Sequence, residues 1–299
     1  MSKAEDFAGQ LAIPAIAAPM FLVSGVELVV ATSAAGLCGT FPTLNARSIG
    51  ELDQWLGEMG ERLEGKPFGA NLIVHKSNPR LQEDLALIVK HKVPLVITSL
   101  GAVPDVVEAV HSYGGMVMHD VISIRHAQKA IGAGADGLIA VCAGAGGHAG
   151  TLSPFALVSE IREFFDGPLA LSGSITHGRQ VLAAKVMGAD FAYIGSHFIP
   201  AAESLASNPQ KEMMVAASAK DIVYTDKVTG IGANFMAQSL EASGDLIDGD
   251  FNITEEAKAW KNIWSAGHGV GASHAIRPAG EICRDLIAQY NKALERITS

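Results

Sequence analysis

The feature that most restricts this chain is a repeated alternation. Short apolar runs stand at 13–18, 37–41, 68–74, 95–98, 116–119, 137–142, 168–172 and 190–195. The segments between them carry apolar residues at helical spacing. Ser24 is placed to cap a helix reaching about Ala35. Ser48 opens another with Leu52, Trp55, Leu56, Met59 and Leu63 on one face. Asn78-Pro79 opens a third with Leu81, Leu85, Ile88 and Val89. Further helices are expected over 104–111, 123–133, 153–165 and 176–187. Strand-then-helix repetition is the signature of a parallel sheet with helical crossovers. Eight such units in the first ~200 residues favour closure into a (β/α)₈ barrel over an open sheet. With 48% hydrophobic residues, 18% charged and 32 glycines, the composition suits strands buried on both faces.

Beyond residue 197 the rhythm breaks. Residues 202–219 read as helical, 225–252 have weak periodicity, and 254–265 read as a helix carrying Trp260 and Trp264. Arg277-Pro278 precedes a last amphipathic helix with Ile282, Leu286, Ile287 and Leu294 on its apolar face. The expected organisation is a barrel formed by 1–200 and 270–299, with 201–269 inserted as a helical lid on the substrate side. The apolar 201–219 segment and the last helix suit packing within one chain or across a homodimer, and the sequence leaves both open.

In such a barrel the active site lies at the C-terminal ends of the strands. Those ends are Pro19-Met20, Asn71, His119-Asp120, the glycine-rich loop 143–150, Gly173-Ser174 and Gly195-Ser196. The last two pairs follow the seventh and eighth strands. There, exposed amides and a serine hydroxyl can hold a phosphate, assisted by a helix N-terminus. The plain alternative is that these glycines only make tight turns. His148 stands in a loop with almost no side chains, and an imidazole there can handle a proton near neutral pH. The plain alternative for it is a hydrogen-bonded turn residue. His91, His111, His126 and His177 fall on or beside helices, as solvated or capping groups. His75 and His119 follow strands and are placed to line the pocket. His197 follows the eighth-strand pair, and His268 lies in a loop able to fold back over the site.

Several function classes are disfavoured. A net charge of −9 argues against a nucleic-acid partner. Every apolar segment is interrupted before membrane-spanning length, and the start of the chain has no signal-peptide pattern. Cys38, Cys142 and Cys283 are too far apart for a metal site and read as buried free thiols in a reducing cytoplasm. No His-Glu pair has helical zinc spacing, no nucleophile elbow follows a strand, and the Gly132–Gly137 stretch has the wrong strand–helix order for a dinucleotide loop. No metal is expected.

Ala17-Ala18-Pro19-Met20, the Ala-Gly-Gly-His core at 145–148, Leu171-Ser172-Gly173-Ser174-Ile175 and Tyr193-Ile194-Gly195-Ser196 together resemble the nitronate monooxygenase (2-nitropropane dioxygenase) family over nearly the whole chain. Flavin-dependent enoyl-acyl-carrier-protein reductases and NAD(P)H:quinone reductases share much of the pattern. The resemblance implies an FMN enzyme on a (β/α)₈ barrel. It implies that Pro19 and Met20 back the isoalloxazine ring and that Asn71 bonds its edge. Ala145, Gly146 and Gly147 would pass the cofactor, Gly173, Ser174, Gly195 and Ser196 would hold its phosphate, and His148 would be the proton-handling catalytic residue. The implied reaction is oxidation of an alkyl nitronate with O₂ to a carbonyl compound and nitrite. The alternatives are NAD(P)H-driven reduction of a quinone or enoyl thioester, and a flavin-binding protein without catalysis. Four positions depart from the pattern: Ala149 in place of a larger residue, Ser174 in place of a glycine, Asp120 where some relatives carry lysine, and His268 in place of glutamine.

Overall fold

The computed structural model describes residues 3–101, 103–228, 230–243 and 260–298. Eight parallel strands close into a barrel: β1 (Ala15–Ala17), β2 (Cys38–Pro42), β3 (Phe68–Ile73), β4 (Leu95–Ser99), β5 (Met116–Val121), β6 (Gly137–Val141), β8 (Leu169–Ser172) and β9 (Phe191–Ile194). Closure comes from β1 on β9, with Ile16 opposite Tyr193. The expected (β/α)₈ architecture is therefore present, with strand bounds within two or three residues of the apolar runs.

Side-chain alternation along the strands separates two layers. Ile16, Cys38, Leu95, Ile97, Met116, Met118, Ile139, Phe191 and Tyr193 fill the barrel interior. The residues between them, such as Val96, Val117, Leu138 and Ala192, pack outward under the helices. The N-terminal helix Lys3–Ala8 closes one end, with Phe7 edge-to-face on Phe191 at 5.7 Å. Both faces of each strand are thus apolar, which is why the strands read as continuous runs.

Several helix starts follow their caps. Ser48 accepts from the Glu51 amide, and Ser123 from that of His126. Ser24 does not cap. Its hydroxyl accepts from the Met20 amide at 3.0 Å, and the helix Val26–Ala34 starts at Gly25 without a side-chain cap. Ser24 is fully buried at the turn after β1, so its hydroxyl satisfies that turn instead.

The 202–219 reading shrinks to the helix Asn208–Ala216, capped by Ser207. Strands β10 (Ile222–Thr225) and β11 (Ala233–Met236) were not anticipated. They form a small antiparallel sheet with β7 (Gly147–His148), which lies in the glycine-rich loop. Of the helix expected over 254–265, residues 254–259 lie outside the described residues, and 260–265 are turns, bends and a bridge from Ser265 to Phe235. The final helix Ala279–Thr298 buries Ile282, Cys283, Leu286 and Tyr290, while Leu294 is exposed. It lies so close to the helix Gly178–Val186 that a Cβ on Gly178 would come within 2.2 Å of the Leu286 carbonyl and the Tyr290 amide. All three cysteines are buried free thiols. Among the described residues no helix is long and apolar enough to cross a membrane.

Candidate functional site

The C-terminal mouth of the barrel holds a cavity of about 560 Å³. Its size is typical of small-molecule and cofactor sites. Pro19, Met20, Asn71, Ala145, Gly146, Gly147, His148, Gly173, Ser174, Gly195 and Ser196 all line it. Strand order explains the convergence: all eight barrel strands end there, so positions more than 170 residues apart face one space.

The turn after β1 is held by Asn45. Its amide donates to the Met20 and Ser24 carbonyls at 3.0 and 2.7 Å, and its oxygen accepts from the Leu22 amide at 2.8 Å. Leu22 takes a left-handed φ of 60° there. This side chain, missed in the sequence, fixes where Pro19 and Met20 stand.

The turns after β8 and β9 form the opposite wall. Gly173 has φ 142°, and a Cβ on it would stand 3.0 Å from the Ala143 carbonyl. Ser174 adopts φ 55°, the backbone shape its glycine counterpart takes without strain. Among the described residues, no protein acceptor takes the amides of Gly173, Ser174, Gly195 or Ser196. Four such donors on residues that line one cavity suit an anion. The Ser196 hydroxyl accepts from the Gly267 amide at 2.7 Å, which leaves its own proton for a further acceptor.

The loop carrying His148 is tied down from above. The Gly147 amide donates to Ser265 Oγ at 2.6 Å, and that hydroxyl donates to the Asn234 carbonyl at 2.7 Å. Asn234 Nδ2 donates to the Ala145 carbonyl at 2.7 Å. The 265–269 loop does fold back over the site: the His268 amide reaches the Gly144 carbonyl, and a Cβ on Gly267 would stand 2.4 Å from that same oxygen. Gly146 and Gly267 are therefore small because two backbones touch, while a Cβ on Gly144 would run into the Ser174 hydroxyl.

His148 packs its ring edge-on to Trp260 at 5.7 Å, and Trp260 in turn meets Phe21 and Phe235. Burial lowers its pKa to about 4, so the imidazole is neutral at pH 7. The residue keeps partial solvent contact through the cavity even though the ring lies deep in the mouth.

On the floor, Asn71 Nδ2 donates to the Ile97 carbonyl at 3.2 Å and to Ser99 Oγ at 2.7 Å. Ser99 donates to Asp120 Oδ2 at 2.5 Å. Burial pushes Asp120 up to about 6 against the lowering effect of Ser99. His119 also lines the cavity, paired with Thr98 Oγ1 at 2.7 Å and lowered to about 4 by burial and then by His126 and Lys129. His126, expected to be merely solvated, is exposed yet contributes to the rim. His75 is bonded to Ser77 Oγ at 2.7 Å and is not part of the lining. His197 turns away to Ser273 Oγ at 3.1 Å, in an outer groove that His268 shares. His177 caps its helix by accepting from the Arg179 amide, as expected.

Ser99, Asn45 and Asn234 carry no expectation from the sequence, and Trp260 and Ser265 stand there only as members of a helix and of a loop, not as site residues. Ser99 had a signal, since it directly follows the fourth apolar run and ends the fourth strand. The others belong to the site through contacts far apart in the chain.

A sequence model of the nitronate monooxygenase family matches residues 79–244. Over 237 residues, 78% of this chain, it is 26% identical to the (3aS,4S,5R,7aS)-5-hydroxy-7a-methyl-1-oxo-octahydro-1H-indene-4-carboxyl-CoA dehydrogenase of Rhodococcus jostii. It is 27% identical over 227 residues, 66% of this chain, to a nitronate monooxygenase of Neurospora crassa. The chain spans 66% of the first of these relatives and 60% of the second. Among solved structures, a nitroalkane oxidase from Streptomyces ansochromogenes superposes with a TM-score of 0.83 at 22% identity, covering 97% of this chain and 99% of that one. At that identity the likeness concerns the fold.

Proposed function

The chain belongs to the nitronate monooxygenase family, and from that premise we propose that it is an FMN-dependent oxidoreductase that oxidises alkyl nitronates with O₂ to a carbonyl compound and nitrite. The observation that carries the reading is a neutral, half-buried imidazole, His148, held over a cavity whose far wall offers four amides without a protein acceptor. The residues fit a flavin mononucleotide in kind. The Gly173-Ser174 and Gly195-Ser196 turns offer amides to its phosphate, and Asn71 offers a carbonyl oxygen to a ring-edge N–H. A bound flavin would supply electron acceptance from the substrate and electron passage to O₂.

The protein's own residues do the rest. Burial keeps His148 uncharged across the neutral range, the form in which an imidazole can act as a base toward the α-proton of a nitroalkane. When the substrate arrives already ionised, the ring N–H donates to the nitronate oxygen. The Trp260 edge and the Gly147–Asn234 pairing hold the imidazole in one orientation. Trp260, Phe21 and Ile263 give the mouth an apolar lining.

A second reading is NAD(P)H-dependent reduction of a quinone or enoyl thioester. The mouth is lined by apolar residues such as Phe21, Trp260 and Ile263, and the Rhodococcus jostii relative carries a coenzyme A ester in its name. Anaerobic mixing of the purified yellow protein separates the two. Bleaching by propyl nitronate supports the first. Bleaching by NADH or NADPH alone overturns it in favour of the second. Reduction by neither donor leaves a flavin carrier. The cofactor is identified by mass after release.

A further inference from the structure

The floor of the cavity carries a carboxylate that the proposed reaction does not use. Asp120 stands near the end of β5 and lines the cavity. Oδ2 accepts from Ser99, while Oδ1 is buried without a hydrogen-bond partner. Among the described residues no lysine or arginine forms an ion pair with it. An uncompensated charge in such a place is costly, and groups of this kind concentrate at functional sites.

The hydrogen bonds around it have a fixed sense. At one end the Ile97 carbonyl can only accept, and at the other so can an ionised Asp120. The arrangement that satisfies both has Asn71 pointing its N–H groups inward and Ser99 passing its proton to Asp120. Asn71 is left presenting its carbonyl oxygen to the cavity.

We propose that Asp120 is a positioning residue that sets the electrochemistry of this pocket. Its fixed negative charge opposes the gain of negative charge by the bound cofactor, and through Ser99 it locks Asn71 as an acceptor. The inference rests on the flavin reading of the site. It implies a flavin that is harder to reduce and, once reduced, quicker to give its electrons to O₂.

The groups facing Asp120 leave it as the one to follow by pH. Tyr193 of β9 is raised well above its ordinary value by burial and by Asp120 itself, and burial raises Cys38 of β2 beside it. His119, the neighbour in sequence, is held neutral by burial. His126 and Lys129 lie beyond His119, on the rim.

The test is the flavin midpoint potential of wild type, Asp120→Asn and Ser99→Ala from pH 5 to 8. Asp120→Asn should raise the midpoint at pH 7 by a tenfold or larger change in the reduction equilibrium, about 30 mV for a two-electron couple. In wild type, reduction should draw an extra proton onto Asp120, steepening the midpoint's pH slope above about pH 6. The variant should lose that extra slope. Ser99→Ala removes the hydrogen bond that favours the ionised form, so it should raise the Asp120 carbon-13 carboxyl titration and the pH 7 midpoint together. Equal midpoints in wild type and Asp120→Asn overturn the proposal while leaving the flavoprotein reading intact. If Asp120→Asn does not fold, a wild-type slope without the extra proton does the same. A protein that binds no flavin overturns the functional reading and this inference with it.

Discussion

Ser265→Ala separates the barrel from what lies over it. The substitution removes one hydroxyl that both accepts from the Gly147 amide at 2.6 Å and donates to the Asn234 carbonyl at 2.7 Å. A typical hydrogen bond is worth about 1 kcal/mol net, and a buried group left unpaired costs about 1–3 kcal/mol. Gly147 and Ser265 keep partial solvent contact, so water replaces part of the loss and the total settles near ~2 kcal/mol. For a domain of this size that corresponds to a melting temperature lower by about 4 °C. The functional loss should be larger. Gly147 adjoins His148, and misplacing a reacting group by about 1 Å can cost about 10²-fold. Turnover of propyl nitronate should therefore fall at least ~10-fold with the cofactor retained, and Ser265→Thr, which keeps the hydroxyl, should recover most of it. Calorimetry and steady-state oxygen uptake on the three proteins give the answer. A Ser265→Ala protein with wild-type melting and wild-type turnover would refute the view that this hydroxyl holds the His148 loop in register.

Five further outcomes are expected. His148→Ala should lower turnover at least ~10-fold while the protein stays yellow; an unchanged rate removes the imidazole from the chemistry. In acid, His119, His148 and His197 are held near 4 in the fold against an ordinary 6.5. The unfolded chain therefore binds more protons between those values, and stability should fall as pH drops from about 6.5 to 4. Asp120, raised from 3.8 to about 6, acts in the opposite sense and cancels one of the three protons, which urea titrations across that range can count. Arg80→Ala strands the fully buried Asp84, whose Oδ1 it holds at 2.9 Å, and should cost about 3–5 kcal/mol in urea unfolding. Gly178→Ala drives a methyl into the backbone of the final helix and should destabilise by about 3 kcal/mol or more. Gly60→Ala, in the helix Ile49–Leu63 with open space around it, should stabilise by about 0.5–1 kcal/mol; equal and opposite melting shifts are not expected, and a destabilised Gly60→Ala would contradict the open-space reading.

What the sequence determined by itself is the barrel and the places where its strands end. Apolar runs, helical spacing and glycine stops are local signals, and each strand here is apolar on both faces, so the eight units were legible one after another. Because the strands are parallel, their ends alone determine which residues share the mouth, and Asn71, His148, Gly173 and Ser196 group together from the sequence. Tertiary structure alone decided how those residues are held. Gly147 and Ser265 are 118 positions apart, and no periodicity links them. Strands β10 and β11 are four residues each, with β10 exposed at Val223 and Tyr224, too short and mixed to stand out. They exist because β7 in the glycine-rich loop offers them an edge. The state of Asp120 was equally hidden. A carboxylate's charge depends on who surrounds it, and only packing placed it beneath a cavity, with Ser99 on one oxygen and nothing on the other.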